Sequence, residues 1–302
     1  MDDEKNYQNY LKKIKLFQKY NKHYYNLSEP IVKDYEFDKL KLEIIKYEKQ
    51  NNFTIHKDSP SYSVGFKPSK IFKKAKHRTP MLSLANAFSE EDLTNFEKKI
   101  LNFLNNESDL KIEYSAEPKI DGISASLIFK NGKLVSGLSR GDGKEGEDIT
   151  ENLKTIDDIP HNIDAKNFPE EIDIRGEVFI QNTDFKKLKN KFANPRNAAS
   201  GSLRQKNPKE TKKIPLKFIA YAFGYEKGLK VFLQSEFLKQ LKYWGFKTNP
   251  LNKTIKSIKD LMKNYNEIEK KRDQIDFDID GIVYKINDFR LQKRLGNVAN
   301  AP

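Results

Sequence analysis

The sequence predicts an α+β fold, with a small helical N-terminal part and a larger region built on antiparallel sheet. Three observations predict it. Apolar residues recur at helical spacing up to about residue 70. From about residue 75 the pattern changes to short alternating segments bounded by turn residues. The strongest turn among them, Asn131-Gly132, joins neighbouring alternating segments directly, which marks a hairpin and not a wound βαβ sheet. No internal repeat is found in the sequence.

In the helical part, Leu11, Ile14 and Phe17 mark a first helix, interrupted at Tyr24-Tyr25-Asn26-Leu27-Ser28-Glu29-Pro30. Asp34 can cap a second helix, in which Phe37, Leu40, Ile44 and Tyr47 share a face. Asp34, Glu36 and Asp38 crowd carboxylates into one turn. They fit a helix start that complements the dipole or, with the paired tyrosines, an aromatic and acidic platform for a cationic ring. Gly65 to His77, polar and lysine-rich, reads as a linker. Ser89-Glu90-Glu91-Asp92 then opens a helix with an N-cap signal.

Ile112, Tyr114 and Ala116 alternate as one strand, and Ile123, Ala125, Leu127 and Phe129 as the next. Between them Glu117-Pro118-Lys119-Ile120-Asp121-Gly122 puts a lysine at a bend on rigid sheet. A lysine attacks only as the free amine, and its ordinary pKa of about 10.4 keeps it charged. Desolvation or a neighbouring cation favours the neutral form. Taken alone, the motif fits an attacking lysine or a surface lysine in a turn.

After Asn131-Gly132 a third strand, Lys133 to Ser139, ends in Arg140-Gly141-Asp142-Gly143. This glycine loop lacks the Gly-Lys-Ser/Thr ending of a P-loop and by itself reads as a plain turn. Ile172 to Ile180 is a strand in which Glu177 fits an ordinary solvent-facing polar residue or, with Gly176 beside it, a place where a ligand can come near. The run from Phe192 to Gln205 combines small residues, amides, Arg196 and Arg204; it is odd for a core element and suits phosphate-backbone contact. Leu216 to Gly224 reads as a buried strand, and Val231 to Trp244 and Ile258 to Arg272 as surface helices. Last, Ile282, Tyr284 and Ile286 alternate with Val283 and Lys285. A second lysine aimed at the same pocket would bind a substrate phosphate and lower the pKa of the first.

Composition sets the outer bounds. With 302 residues the chain has room for one large domain or two ordinary ones. The 56 Lys and Arg against 43 Asp and Glu leave a net charge of +13. That balance suits a polyanion such as nucleic acid, while the joint abundance of Lys, Asn and Ile also fits codon bias. The absence of cysteine excludes disulfides, thiolate metal sites and a cysteine nucleophile, and the four histidines are scattered. The start, Met1-Asp2-Asp3-Glu4-Lys5, lacks the pattern of a signal peptide, and no apolar run approaches membrane-spanning length. A soluble cytoplasmic protein with no membrane partner is expected.

Together these motifs resemble those of bacterial NAD-dependent DNA ligases, in family order and over essentially the whole chain. Lys119-Ile120-Asp121-Gly122 is similar to the Lys-x-Asp-Gly motif that nucleotidyltransferases share, ATP-dependent ligases and capping enzymes included. Particular to the NAD-dependent family are Leu82-Ser83-Leu84-Ala85-Asn86-Ala87-Phe88, Arg140-Gly141-Asp142-Gly143, Arg175-Gly176-Glu177-Val178, the run from Ala193 to Gln205, and Asp278-Ile279-Asp280-Gly281.

The resemblance implies that residues 1–70 form a helical cap for the nicotinamide mononucleotide half of NAD, and residues 71–302 an adenylation domain of nucleotidyltransferase fold. It implies Lys119 as the nucleophile on the α-phosphate of NAD. The lysyl-AMP phosphoramidate so formed would pass AMP to the 5′ phosphate of nicked double-stranded DNA, for phosphodiester formation in replication and repair. Glu117, Ser83 and Leu84 are implied at the adenine end, Arg140 and Glu177 around ribose and phosphate, and Lys285 deep in the pocket. Asp121 is also assigned to the cofactor. Tyr24, Tyr25, Asp34, Tyr35, Glu36, Phe37 and Asp38 are implied at the nicotinamide half, and Arg196 and Arg204 on the DNA backbone. Mg²⁺ is implied with the transferred phosphoryl group, with no protein ligand named. A monomer is expected. The alternative is a truncated or degenerate chain that binds NAD or nicked DNA without sealing it.

The chain departs from the family pattern at Phe37, where the family has tyrosine, and at Ser28, where it has aspartate. The missing phenol removes a hydrogen bond worth about 0.5–1.5 kcal/mol. The family pattern also continues past Pro302 into a segment with another pocket lysine, an OB-fold, a four-cysteine zinc site, helix-hairpin-helix elements and a BRCT domain.

Overall fold

The computed structural model describes residues 2–23, 31–32, 34–51, 55–61, 72–104, 112–188 and 192–296. Two helices come first, α1 (Asp2–Lys22) and α2 (Asp34–Gln50). Tyr10, Ile14 and Phe17 of α1 meet Phe37, Leu40 and Ile44 of α2 in one buried cluster, as apolar residues three and four apart require. The Phe17 and Phe37 rings stack with centroids 5.2 Å apart. Glu48 fastens the segment after α2 to this pair, accepting hydrogen bonds from Tyr10, Ser59 and Ser61.

The following elements are β1 (Lys74–Lys76), α3 (Glu90–Phe103), β2 (Tyr114–Ile120), β3 (Ile123–Lys130), β4 (Lys133–Ser139), β5 (Glu145–Glu147), α4 (Thr150–Leu153), β6 (Glu171–Ile180) and α5 (Asn182–Phe185). Then come α6 (Pro195–Leu203), α7 (Pro208–Lys212), β7 (Leu216–Lys227), α8 (Gln234–Tyr243), β8 (Lys253–Ile255), α9 (Ile258–Lys271), β9 (Ile279–Ile286) and α10 (Phe289–Leu295). Their strands form a four-stranded sheet in the order β4-β3-β6-β7, a three-stranded sheet β8-β2-β9 and a two-stranded ribbon β1-β5. Every pairing is antiparallel, so the expected mixture of helices and antiparallel sheet is what the chain forms.

The main core lies on the four-stranded sheet, where Leu127, Phe129, Ile174 and Phe218 pack with Ala198 and Ala199 of α6 and Phe237 and Leu241 of α8. A second core joins Ile100 of α3, Tyr114 and Ala116 of β2, Leu261 of α9 and Ile286 of β9.

Several elements differ from their sequence reading. β2 and β3, consecutive in the chain, lie on different sheets, and Asp121-Gly122 carries the backbone from one to the other. A Cβ on Gly122 would sit 2.4 Å from the carbonyl oxygen of Val178, so only glycine lets β3 start with Ile123 opposite Val178. Lys119 is accordingly the penultimate residue of a strand, with the bend just after it.

The stretch read as a linker contributes β1, which pairs with the β5 segment beyond the Arg140 loop. That loop is therefore anchored on both sides and is more than a plain turn. The run from Phe192 to Gln205, judged odd for a core, folds as α6, with Ala198 and Ala199 fully buried. Its small side chains let a helix lie close against the sheet, a use of alanine and serine that composition does not separate from phosphate approach. The helix expected from Val231 to Trp244 buries Phe237, Leu238 and Leu241, so its inner face is core.

Candidate active site

Candidate site residues gather where the two larger sheets meet. Side chains alternate along β2, so Ser115, Glu117 and Lys119 share one face. Lys285 of β9 stands directly opposite Ser115 and projects from that same face. Across the junction Ser124 of β3 is paired with Glu177 of β6. The backbone N–H of Asp121 donates to the carbonyl of Asp278 at 2.9 Å, tying the end of the lysine strand to the start of β9.

An inner network surrounds Glu117, which is 4% exposed. Its Oε1 accepts from Ser115 Oγ at 2.8 Å and from Gln234 Nε2 at 2.8 Å, and its Oε2 accepts from Lys285 Nζ at 2.7 Å. Gln234 and Lys285 also donate to the main-chain carbonyl of Tyr221, at 2.8 and 3.0 Å. The Lys285 ammonium lies 5.3 Å from the centroid of the Tyr221 ring.

Nearer the surface, the Lys119 ammonium pairs with the Asp280 carboxylate, and Arg196 pairs with Asp121. Ser124 Oγ donates to Glu177 Oε2 at 2.9 Å. Burial pushes the Glu177 carboxyl up to about 7, against the opposing pull of Arg196, the Ser124 hydroxyl and Lys119. Burial also raises the Tyr221 phenol, and the charge of Glu177 adds to that shift.

Arg140 reaches back over the segment before α3, donating from its guanidinium to Ser83 Oγ at 3.1 Å and to the Met81 carbonyl at 3.4 Å. Leu84, next to Ser83, is exposed. On α2, burial depresses the Lys41 ammonium; Asp38 one turn earlier opposes the shift and Arg140 reinforces it. The Asp38–Lys41 face of the helical part thus lies within electrostatic reach of the Arg140 loop.

Of the residues singled out in the sequence, Lys119, Asp121, Glu177 and Arg196 are brought together, as are Glu117 with Lys285 and Ser83 with Arg140. Lys285 is paired with Glu117 at 2.7 Å. Tyr24, Tyr25 and Ser28 lie outside the described residues, as do the side chains of Asp34 and Tyr35, and Glu36 is exposed. Phe37 is buried with Leu40 and Ile44 in the core of the helix pair. Arg204 is turned inward, with Nε 3.0 Å from Oε2 of Glu147, a residue 1% exposed.

Sequence reading missed Asp280, Gln234, Tyr221 and Ser124. Asp280 was within reach, since it belongs to a quoted motif and meets Lys119 once β2 and β9 are paired. Gln234 gave no signal, because it opens a helix whose burial depends on the sheet below. Among the described residues no group of three or more His, Cys, Asp or Glu side chains could hold a metal ion. The described side chains thus offer no such group to the expected magnesium, an ion more often bound through substrate phosphates and water. No helix among the described residues is long and apolar enough to cross a membrane.

Comparison with known proteins gives the lineage. Residues 69–302 match the NAD-dependent DNA ligase adenylation domain, and residues 4–65 the DNA ligase-like, N-terminal NAD+-binding domain. The chain is 67% identical over 293 residues to the DNA ligase of Pelagibacter ubique (strain HTCC1062), covering 97% of this chain and 43% of that protein. It is 43% identical over 287 residues to the DNA ligase of Bradyrhizobium sp. (strain ORS 278), covering 92% of this chain and 40% of that one. It thus spans less than half the length of these relatives. The solved ATP-dependent DNA ligase from bacteriophage T7 complexed with ATP aligns with a TM-score of 0.35 at 17% identity, over 70% of this chain and 66% of that one. That likeness is too distant to carry any argument. The two domain matches follow one another along the chain, and the first relative aligns with nearly all of it: this chain belongs to the NAD-dependent DNA ligase family.

Proposed function

We propose that the chain performs the adenylation chemistry of an NAD-dependent DNA ligase, taking AMP from NAD onto Lys119 and releasing nicotinamide mononucleotide. The activated AMP is destined for the 5′ phosphate at a nick in double-stranded DNA. Residues 1–70 act as the cap on the nicotinamide half and residues 71–302 as the adenylation domain. The observation that carries this reading is the Lys119–Asp280 ion pair, held on paired strands beside the Glu117–Lys285 network.

Attack by Lys119 requires the loss of one proton from Nζ, and the Asp280 carboxylate is already hydrogen-bonded to receive it. The free amine then attacks the α-phosphorus. The N–P bond forms, the P–O bond to nicotinamide mononucleotide breaks, and the electron pair leaves with the mononucleotide phosphate. Glu117 offers acceptor lone pairs and Lys285 a donor beyond those used on Glu117 and Tyr221. Side by side they complement adenine, which presents the N6 amino donor next to the N1 acceptor. Glu177 and Ser124 are assigned to the ribose hydroxyls, Arg140 to phosphate, and Asp38 with Lys41 to the charged nicotinamide mononucleotide half. Magnesium entering with the dinucleotide would offset charge on the transferred phosphoryl group, and no side chain is assigned to hold it.

The test is incubation with NAD labelled in its adenylate, followed by denaturing electrophoresis. The intact chain is expected to retain acid-labile label, as a phosphoramidate does, and Lys119→Ala to retain none. Label on the Lys119→Ala protein would overturn the assignment.

A further inference from the structure

Gln234 is 2% exposed and is the first residue of α8, yet its side chain faces polar groups of two other elements. Its Nε2 donates to Glu117 Oε1 on β2 and to the Tyr221 carbonyl on β7, both at 2.8 Å. Both partners are acceptors, so both amide hydrogens are committed and the carboxamide has one orientation. Its backbone is fixed as well. The Gln234 N–H donates to the Asn287 carbonyl at 2.7 Å, and the Ser235 N–H to Asn287 Oδ1 at 2.9 Å, two residues beyond Lys285. One residue therefore joins the strand of Glu117, the strand of Tyr221 and the end of the strand that carries Lys285.

We propose that Gln234 is a positioning residue that sets nucleobase selectivity, by fixing the rotation of the Glu117 carboxylate against Lys285. The proposal rests on the adenylation reading given above and deepens it. With Oε1 occupied by Gln234 and Ser115, and Oε2 by Lys285, the carboxylate plane cannot turn without breaking at least one buried hydrogen bond. A fixed plane keeps an acceptor beside a donor, the complement of adenine. Hypoxanthine presents the reverse, a carbonyl acceptor at position 6 and an N–H at position 1, and puts acceptor against acceptor and donor against donor. Losing the Gln234 amide frees the carboxylate to swing and the Lys285 ammonium to follow it, so the site should accept either base more evenly.

Calorimetric titration of the 302-residue chain with NAD and with nicotinamide hypoxanthine dinucleotide tests this, with thermal unfolding as the check on folding. The wild type is expected to prefer NAD. Gln234→Met, similar in length but without donors, is expected to cut that preference about tenfold, mostly by weakening NAD. If Gln234→Met does not fold, Gln234→Asn keeps a buried amide that is too short to reach Glu117, and the same loss is expected. An unchanged ratio between the two dinucleotides in a folded variant would overturn the proposal, since damage to packing alone weakens both alike. A wild type that binds both equally would overturn it too, while leaving the NAD reading standing. A wild type that binds neither would overturn both.

Discussion

Glu177 lies at the junction of the two sheets, with Ser124 bonded to one oxygen and the charges of Arg196 and Lys119 nearby. Burial outweighs these partners and moves its carboxyl from 4.5 to about 7. A folded-state value above the unfolded one means the folded chain holds this proton more tightly. The stability it contributes is complete below about 4.5 and is lost as pH rises through about 7. Glu177→Gln cannot ionise and escapes that loss. Between pH 5 and pH 8 it should gain on the wild type by about 2–3 kcal/mol, seen as a rise in relative Tm. Thermal melts at the two pH values check this, and a variant that gains nothing on the wild type between them would contradict it. The same residue shows what was legible at this scale. Glu177, Lys119, Glu117 and Arg140 stand in short motifs whose residue types announce their chemistry. Gln234 and Tyr221 do not, because an isolated glutamine or an alternating tyrosine becomes part of a site only through the strands packed around it.

At the scale of the element, α6 shows how one composition can serve packing. Its alanines and serines suited contact with a phosphate backbone; Ala198 and Ala199 are core, while Arg196 in the helix and Arg204 at its C-cap each pair with a carboxylate. Arg204 in particular balances Glu147, which is almost wholly buried. Truncating one member of such a pair leaves the other charge desolvated, a loss of about 3 kcal/mol. Arg204→Ala should therefore lower thermal stability clearly, and Glu147→Gln in the same chain should restore part of it. If Arg204→Ala melts with the wild type while DNA binding alone falls, the arginine is a surface contact after all. The strands themselves were legible from alternation, as was the β3–β4 hairpin from Asn131-Gly132. The transfer from one sheet to another at Gly122 was not, since it depends on Val178 lying across the path.

Over the whole molecule, the division into a helical start and an antiparallel body followed from the change of period near residue 75. The environment of Lys41 could not be read that way, because its depressed ammonium depends on burial that only the fold supplies. The proposed placing of Lys41 at the nicotinamide half has a consequence for ligand choice. Lys41→Met should weaken binding of NAD about tenfold, some 1.4 kcal/mol, and leave AMP, which lacks the nicotinamide half, unaffected. Equal losses for the two ligands in a titration would show that Lys41 acts on the fold and not on the mononucleotide.

The central claim is that Lys119 is the residue that receives AMP, and that NAD supplies it. Mass spectrometry of the intact chain after incubation with NAD or with ATP, followed by peptide mapping, tests both halves at once. The expected result is one adenylyl group per chain from NAD, localised to Lys119, and none from ATP. An unmodified chain, an adduct on any other residue, or equal modification by ATP would contradict it.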